Sequence, residues 1–225
     1  YNPYQDPWTM MISSNVPNFD KPAFNKYKAH NFVYDKLFVA QTQGIKCGVL
    51  ENLTKNETFP VFIKPRHGNK SASSKHCYKI NSFEEAQQYM QIPEMIWSEF
   101  INDTEGMTDY FLKDGVVMHQ ITYVYSTTQH GTIADDWKFV SPLNKPPAII
   151  SEWVRTHLIG FSGACNVQYR GDNIIEVGLR LARGGAYIYS TKNNNLIHSI
   201  NTLVDSNQWN AKPSELDFEP FYAFK

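Results

Sequence analysis

The chain has 225 residues, and its 21 lysine and arginine side chains against 22 aspartate and glutamate side chains give a formal net charge of −1. This balance disfavours a dedicated nucleic-acid-binding protein, because such proteins usually carry a basic excess that neutralises phosphates. Hydrophobic residues make up 42% and charged residues 19% of the chain, a composition typical of a folded globular protein rather than a disordered one. No apolar stretch reaches the roughly 18 residues that span a membrane, so we expect no transmembrane segment.

The ends and the cysteines indicate a fragment of a cytoplasmic protein. No basic segment followed by an apolar segment opens the chain, so no signal peptide is predicted. The chain begins with Tyr1 rather than Met, which indicates a piece of something longer. Cys47, Cys77 and Cys165 are far apart and lack the C-x-x-C spacing of zinc or redox sites, so we expect reduced thiols.

The predicted elements mix helices and strands along the chain. The first 26 residues are rich in Pro, Asn and aromatic residues without a period, which predicts an extended segment. Helical spacing of apolar residues, a capping box at Ser82–Glu85 and Pro/Gly punctuation predict helices over residues 31–43, from 83 to about 90, 148–159 and 196–204. Runs rich in β-branched and aromatic residues predict strands at 59–64, 77–80, 95–101, 107–113, 116–125, 164–169 and 173–177. Asp114-Gly115 is a strong two-residue hairpin signal, and the mixed order predicts an α+β fold.

A lysine at the end of a buried strand is the first candidate for function. Lys64 closes the run F-P-V-F-I-K and precedes a polar loop of small residues. Free backbone N–H groups beside an ammonium group are suited to phosphate binding. A purely structural or solvated lysine would give the same pattern. The loop lacks the G-x-x-x-x-G-K-[ST] spacing, which excludes a Walker-type site.

Two further groups of residues could complete a nucleotide site. Glu99-Phe100-Ile101 ends a strand, where backbone groups could contact an adenine edge, and the Glu105 carboxylate could accept ribose hydroxyls. Gln168 and Glu176 lie on strands that flank a tight turn, so their oxygens could face each other and bind Mg²⁺. Arg180 and Arg183 come after that hairpin. A salt-bridged hairpin without any ligand is the alternative interpretation.

In this order and spacing, these motifs resemble the ATP-grasp superfamily, with the carbamoyl-phosphate synthetase large subunit and smaller carboxylate–amine ligases as the closest likeness. The likeness covers roughly residues 31–205. In the family, N-V-Q is followed by the pattern E-x-N-x-R-x-x-R. Here N-V-Q at Asn166–Gln168 is followed by Glu176, Arg180 and Arg183 at the matching offsets. It implies an ATP-grasp fold in which two α/β lobes clasp the nucleotide. We expect an N-terminal segment and linker helix over 1–57, a small lobe over 58–105, and a large lobe over 106–225 that carries the metal and catalytic residues.

The resemblance also implies a role for each motif. Lys64 would hold the α- and β-phosphates of ATP, and the loop from Arg66 to Lys75, including Gly68, would close over them. Glu99 and the Ile101 backbone would bind adenine, and Glu105 the ribose. Mg²⁺ would be held by Gln168 and Glu176, and the transferred phosphoryl group would be steadied by Arg180 and Arg183 as catalytic residues.

Several departures from the family pattern bear on turnover. Gly178 stands where the family usually carries an asparagine metal ligand, and the phosphate loop has one glycine where several are common. Met118–Ile121 replaces an arginine-rich strand, and the family's preceding nucleotide-fold domain is expected to be largely absent.

These expectations support two functions from different classes. The first is an ATP- and Mg²⁺-dependent ligase that activates a small carboxylate as an acyl-phosphate for attack by an amine. Its substrates would be these small molecules, and its partner would be either an upstream substrate domain or a second copy of the chain. We expect it to bind neither nucleic acid nor membrane. The alternative is a catalytically impaired ATP-binding module or subunit of a larger ligase. A third interpretation is a small interaction domain that binds no nucleotide.

Overall fold

The computed structural model describes residues 11–69, 76–127, 137–182, 191 and 193–224. These residues form two antiparallel sheets with helices packed against them, which confirms the mixed α and β class. Within this part of the chain, no helix has the length and apolar character needed to cross a membrane. None of the three cysteines, all of which lie in the described residues, forms a disulfide bond.

In the described ranges, ten strands and five α-helices form the two sheets and the layers that cover them. The strands are β1 Cys47–Val49, β2 Val61–Pro65, β3 Tyr78–Ile80, β4 Met95–Glu99, β5 Glu105–Lys113, β6 Val116–Tyr125, β7 Trp137–Val140, β8 Gly163–Arg170, β9 Asn173–Gly178 and β10 Phe221–Phe224. The helices are α1 Asp20–Lys26, α2 Lys36–Gln41, α3 Phe83–Gln87, α4 Ala148–His157 and α5 Asn195–Ser206.

The smaller sheet has the strand order β1-β4-β2-β3 and presents one apolar face to α3. Val61 and Ile63 on β2 are fully buried, and they pack with Ile80, Ala86 and neighbouring residues in one core. Ser82 caps α3 by accepting a hydrogen bond from the Glu85 N–H, as the capping box predicts. Lys64, the next-to-last residue of β2, is also buried but does not belong to this apolar core.

The larger sheet has the order β10-β7-β6-β5-β8-β9, and each face has its own core. One face packs against α5 through Leu196, Ile200 and Leu203. The opposite face packs against α4 and against the segment that contains Tyr34. The Asp114-Gly115 hairpin joins β5 to β6, as predicted, with both residues at positive φ.

The N-terminal region differs from the sequence-based prediction. Residues 20–26 form helix α1 instead of an extended segment, because Ala23 is fully buried and Phe24 and Tyr27 pack on the same core. The single helix predicted over 31–43 is broken at Asp35, which has an extended backbone and caps α2 by accepting from the Leu37 N–H. The preceding residues, Asn31–Tyr34, form a 3-10 turn. Strands β1, β7 and β10 were not predicted.

Tyr34 fixes this N-terminal region to the end of the last site-bearing strand. Its side chain is 1% exposed, and its hydroxyl oxygen accepts a hydrogen bond from the Leu179 N–H at 2.9 Å. Burial, followed by the charge of Asp20, raises the pKa of this hydroxyl far above its usual value, so it stays protonated. The residues after β9 are therefore held against the segment that precedes α2.

We predict that Tyr34→Phe lowers the free energy of unfolding by about 1–3 kcal/mol, because the buried Leu179 N–H loses its acceptor. Urea denaturation measured by circular dichroism would give this difference. Tyr222→Phe removes a hydroxyl from an exposed side chain and is the matched control. An unchanged unfolding midpoint for Tyr34→Phe would contradict the role given to this hydrogen bond.

Candidate functional site

A short pairing between two segments places a second lysine beside the loop after β2. The Lys36 N–H donates to the Arg66 carbonyl at 2.9 Å, and the Gly68 N–H donates to the Tyr34 carbonyl at 2.9 Å. Between these bonds, the Arg66 guanidinium contacts the Asp35 carboxylate at 2.6 Å. The first turn of α2 and the start of the loop therefore form one unit, and Lys36 lies inside it.

Lys36 and Lys64 converge on Glu176 from two different elements. Lys36 Nζ lies 3.3 Å from Glu176 Oε1, and its side chain is only 6% exposed. Lys64 Nζ donates to the carbonyl of Ile175, the residue before Glu176, at 3.0 Å. The end of β2 in one sheet thus meets β9 at the edge of the other. This contact is the physical join between the two sheets at the site.

Gly68 allows the loop to approach the same carboxylate. A Cβ built at this position would lie 3.0 Å from Glu176 Oε1 and 3.6 Å from Lys36 Cε. A side chain at this position would therefore require Glu176 to shift by a few tenths of an ångström, whereas its distance to Lys36 is an ordinary contact. Of the residues predicted to contact phosphates, the structure brings Lys64 and Gly68 together here. Lys75 lies outside the described residues.

The charges at this junction shift one another's protonation. Burial, followed by the neighbouring Lys36 charge, lowers the pKa of Lys64 to about 8 from an ordinary value of 10.5. Burial alone would raise the pKa of Glu176, but the surrounding lysine and arginine charges outweigh it and lower the pKa. Glu176 is therefore ionised at neutral pH, whereas the charged form of Lys64 is disfavoured by its surroundings.

The strand register places the predicted metal ligands opposite each other. Gln168 on β8 pairs directly with Glu176 on β9, as the hairpin predicted. Within the described ranges, no group of three or more His, Cys, Asp and Glu side chains could hold a metal. One carboxylate and one amide oxygen fit a Mg²⁺ ion that takes its remaining ligands from water and nucleotide phosphates. They do not fit a metal held by the protein alone.

Arg180 lies just beyond this pair and is almost enclosed. Its Nη1 donates to the Leu181 carbonyl at 3.1 Å and to Asn166 Oδ1 at 3.4 Å. On the other side, Nη2 donates to Asp20 Oδ2 at 3.1 Å, and Nε lies 2.9 Å from Asp20 Oδ1. Asn166 is fixed in turn by donating to the fully buried Asp109. Arg183, its predicted companion, lies outside the described residues.

One face of the larger sheet carries a row of polar residues. On antiparallel strands, directly opposed residues point to the same face. The opposed pairs on β5 and β8 are Glu105 with Arg170, Met107 with Gln168, and Asp109 with Asn166. Since Gln168 also pairs with Glu176, the row runs continuously from Glu105 to the metal candidates.

At the far end of the row, the residues predicted to bind the nucleoside already have protein partners. Glu99 Oε1 accepts from the Lys46 N–H at 3.3 Å. Arg170 donates to the Ile101 carbonyl at 3.4 Å and to Glu105 Oε2 at 3.2 Å. Arg170 also borders a polar cavity of about 370 Å³ next to the segment between β4 and β5. Glu99 lies opposite Val61 in the smaller sheet. Val61 is three residues before Lys64, so Glu99 and Lys64 are roughly 10 Å apart along the strand direction.

The sequence analysis did not identify Lys36, Asp20 or Arg170 as parts of the site. A signal for Lys36 was present, because residue 36 lies four and three positions after Phe32 and Val33 and so falls on the predicted apolar face. A lysine on such a face needs a specific partner. No local pattern identifies Asp20, since its partner Arg180 is 160 residues away.

Comparisons with known proteins show which solved structures this chain is similar to. No protein-family model and no curated protein sequence matches the chain. Among solved structures, an L-amino acid ligase from Bacillus licheniformis is 18% identical with a TM-score of 0.59, covering 82% of this chain and 50% of its own. A carboxyaminoimidazole ribonucleotide synthase from Aspergillus clavatus complexed with ATP is 12% identical with a TM-score of 0.64, covering 90% and 58%. A biotin carboxylase from Campylobacter jejuni is 12% identical with a TM-score of 0.59, covering 87% and 50%.

These structures are ATP-grasp enzymes, and the likeness shows that this chain has the ATP-grasp fold. The fold that the sequence motifs predicted is confirmed. The chain spans 50 to 58% of the length of these three proteins.

We predict that Lys64→Met stabilises the nucleotide-free protein below pH 8. The native pKa of Lys64, about 8, lies below its ordinary value of 10.5, so the buried charge costs stability at low pH, and this cost disappears as pH rises from 8 to 10.5. The shift corresponds to roughly 3 kcal/mol, an upper bound on the gain from Met. Urea unfolding at pH 7 and pH 10 would measure it, with Lys55→Met, at an exposed position, as control. A Met variant less stable than the parent at pH 7 would contradict the cost of this buried charge.

Proposed function

We propose that this chain is the nucleotide-binding part of an ATP- and Mg²⁺-dependent ligase that activates a small carboxylate as an acyl-phosphate for attack by an amine. The observation that carries the proposal is the convergence of Lys36 and Lys64 on Glu176, at the junction of the two sheets of an ATP-grasp fold. The names of the similar structures support it: one is an L-amino acid ligase and another was solved with ATP. The proposal extends to the chemical class of the two substrates, a small carboxylate and an amine, and to a further domain or partner subunit of unspecified identity.

The two lysines would hold the nucleotide phosphates. Lys64 donates to the Ile175 carbonyl, a neutral acceptor, and Lys36 contacts a carboxylate that is partly exposed. Phosphate oxygens are stronger acceptors for an ammonium group than a carbonyl is. An arriving triphosphate would therefore draw Lys64 away from Ile175 and share Lys36 with Glu176. The loop around Gly68 would lie over the phosphates, close to both lysines.

The residues Gln168 and Glu176 would hold Mg²⁺ together with the phosphates. When bound there, Mg²⁺ would neutralise charge that builds on the transferred phosphoryl group. Glu176 is ionised at neutral pH, so it can bind the metal without first losing a proton. Arg180, the second residue after β9, would face the transferred phosphoryl group, because its guanidinium interacts electrostatically with Glu176 of the metal pair. These residues act by orientation and charge rather than by covalent chemistry.

The nucleoside would lie toward the other end of the polar row. The segment from Glu99 to Glu105 joins the two sheets, and Arg170 ties Ile101 to Glu105. We assign adenine to the Glu99–Ile101 backbone and the ribose to Glu105, beside the polar cavity at Arg170. Ribose hydroxyls can donate to the Glu105 carboxylate while Arg170 keeps its own bond to it, because a carboxylate accepts several hydrogen bonds.

A second candidate function is nucleotide binding without turnover. Gly178 has no side chain, and Arg180 is paired with Asp20. Both observations favour a module that binds ATP as a sensor or as a subunit of a larger ligase. The phosphate-binding lysines are the same in the two functions, so the functions differ only in whether the bound ATP reacts.

Release of inorganic phosphate separates the two candidates. The protein is mixed with ATP, Mg²⁺ and pooled amino acids as both carboxylate and amine donors, and phosphate and ADP are measured over time. Phosphate release that depends on the amino acids supports the ligase. ATP binding without such release, also with pools of other small carboxylates and amines, supports the binding module. Absence of ATP binding overturns both.

We predict that ATP binding is coupled to protonation of Lys64. At pH 8 about half of the nucleotide-free protein carries a neutral Lys64, and phosphate contact restores the proton, so about 0.5 proton is taken up per ATP. Calorimetry in buffers of different ionisation enthalpy measures this uptake. Lys64→Met should abolish it and weaken ATP binding about 10- to 100-fold, since a hydrogen bond to a charged group contributes roughly 1.5–3 kcal/mol. Unchanged affinity in Lys64→Met would remove this lysine from the site.

We predict that Glu176→Gln removes the gain in ATP affinity that Mg²⁺ provides. The variant keeps its shape but loses the only carboxylate of the metal pair, while metal-free ATP should bind at least as well, because a negative charge near the phosphates is gone. Titration of ATP with and without Mg²⁺ checks both parts. Asp172→Asn, in the exposed turn between β8 and β9, is the control. An undiminished Mg²⁺ effect in Glu176→Gln would refute the metal assignment.

A further inference from the structure

Arg180 is held by a carboxylate from the opposite end of the chain. Asp20 is the first residue of α1, and its two oxygens face Nη2 and Nε of Arg180 at 3.1 and 2.9 Å. Both side chains are largely buried, with 18% and 14% of their surface exposed. A buried guanidinium needs such a partner, because an unpaired charge in this position is strongly unfavourable.

The same carboxylate occupies the space beside Gly178. A Cβ built on Gly178 would lie 2.9 Å from Asp20 Oδ1, closer than side-chain atoms normally approach. Gly178 does not have a positive φ, so its backbone conformation alone does not require glycine. A side chain at position 178 would require the Asp20 carboxylate, which reaches over Gly178 to Arg180, to shift. A side chain at position 178 and the Asp20 carboxylate would thus occupy the same space, and in this chain the Asp20 carboxylate occupies it.

Helix α1 gives Asp20 a fixed position from which to do this. Ala23 is fully buried in the core, and the Phe24 ring packs edge-on against Tyr34 with the centroids 5.7 Å apart. Tyr34 in turn accepts from the Leu179 N–H, between Gly178 and Arg180. On the other side of the guanidinium, Asn166 accepts from Nη1. Arg180 therefore lies between Asp20 and Asn166, each anchored to a core.

We propose that Asp20 is a positioning residue for Arg180, whose carboxylate takes the place of a side chain at position 178 and fixes the plane of the guanidinium beside Glu176. This inference rests on the proposed function, because Arg180 must contact the transferred phosphoryl group for its orientation to affect the reaction. Asp20 itself acts only through Arg180.

The test compares binding of two probes, MgADP alone and MgADP with aluminium fluoride, which imitates a phosphoryl group in transfer. In the parent protein, aluminium fluoride should tighten MgADP binding by at least about tenfold, as expected for a mimic of the transition state. Asp20→Ala and Asp20→Asn should lose most of that gain while the affinity for MgADP alone changes about twofold or less. A general loosening of the N-terminal region would not separate the two probes in this way.

Asp205→Asn is the matched control for loosening of the N-terminal region. Asp205 on α5 accepts hydrogen bonds from Ser13 and Asn15, so the substitution weakens the attachment of the same segment without touching Arg180. The variant should keep the gain with aluminium fluoride. If it loses the gain as Asp20→Asn does, Asp20 acts through segment attachment and the proposal is overturned.

The competition for space is tested separately by thermal unfolding. Gly178→Ala should lower the melting temperature of the parent, because the added Cβ meets Asp20, and should lower it much less in an Asp20→Ala background. Equal losses in both backgrounds would overturn the spatial part of the proposal. Should Asp20→Ala fail to fold, Asp20→Asn carries the binding test.

The two levels of failure are distinguishable. A parent protein that gains nothing from aluminium fluoride, or that does not bind MgADP, contradicts the proposed phosphoryl transfer and this inference with it. A parent that shows the gain, with Asp20 variants that keep it, overturns the positioning role alone and leaves the proposed function standing.

Discussion

The structure depends on an excess of buried positive charge at the junction of its two sheets. Among the described residues, Lys36 pairs with Glu176 and Arg180 with Asp20, whereas Lys64 donates to the neutral carbonyl of Ile175. Burial makes this excess costly, as the lowered pKa of Lys64 shows. The imbalance gives the nucleotide-free protein a site that is complementary to an anion. The nucleotide proposed to bind here would supply such an anion in its triphosphate.

Backbone pairing explains how the fold sustains these charges. Lys36 is positioned by the pairing of residues 34–36 with 66–68, and Lys64 by its place at the end of β2. Glu176 is fixed by its register opposite Gln168. Each charged group thus belongs to a different element, and the elements meet only in the folded chain. Such an arrangement is stable because the apolar cores of both sheets, rather than the ion pairs, supply the folding energy.

The N-terminal region ties the site to the rest of the molecule. Tyr34 and Asp20 contact consecutive parts of the segment after β9, one through a backbone N–H and the other through Arg180. A movement of α1 would therefore change the orientation of Arg180 without a direct effect on Lys36 or Lys64. This separation would allow the proposed nucleotide binding and the proposed phosphoryl transfer to be affected independently.

Sequence alone predicted the elements whose signals are local. The hairpin at Asp114-Gly115, the capping box at Ser82 and the pairing of Gln168 with Glu176 arise from short-range patterns, and the structure confirms them. The extended segment predicted for residues 20–26 was wrong, because the helix there depends on burial of Ala23 against distant strands. Asp20 was missed because its partner lies 160 positions away and no local pattern reports a pairing at that separation. The position of Lys36 on an apolar face was a local signal, but it does not identify the partner, Glu176, which is 140 positions away.

The most direct test of the charge excess is a calorimetric comparison of ATP, ADP, AMP and adenosine binding to the unmodified chain at pH 7 with Mg²⁺. If the buried lysines bind the β- and γ-phosphates, the affinity should fall by at least about tenfold from ATP to AMP, since each lost charged hydrogen bond is worth roughly 1.5–3 kcal/mol. Adenosine should bind most weakly of the four. Equal affinity for ATP and adenosine, or no binding of any of them, would contradict a phosphate site at Lys36 and Lys64.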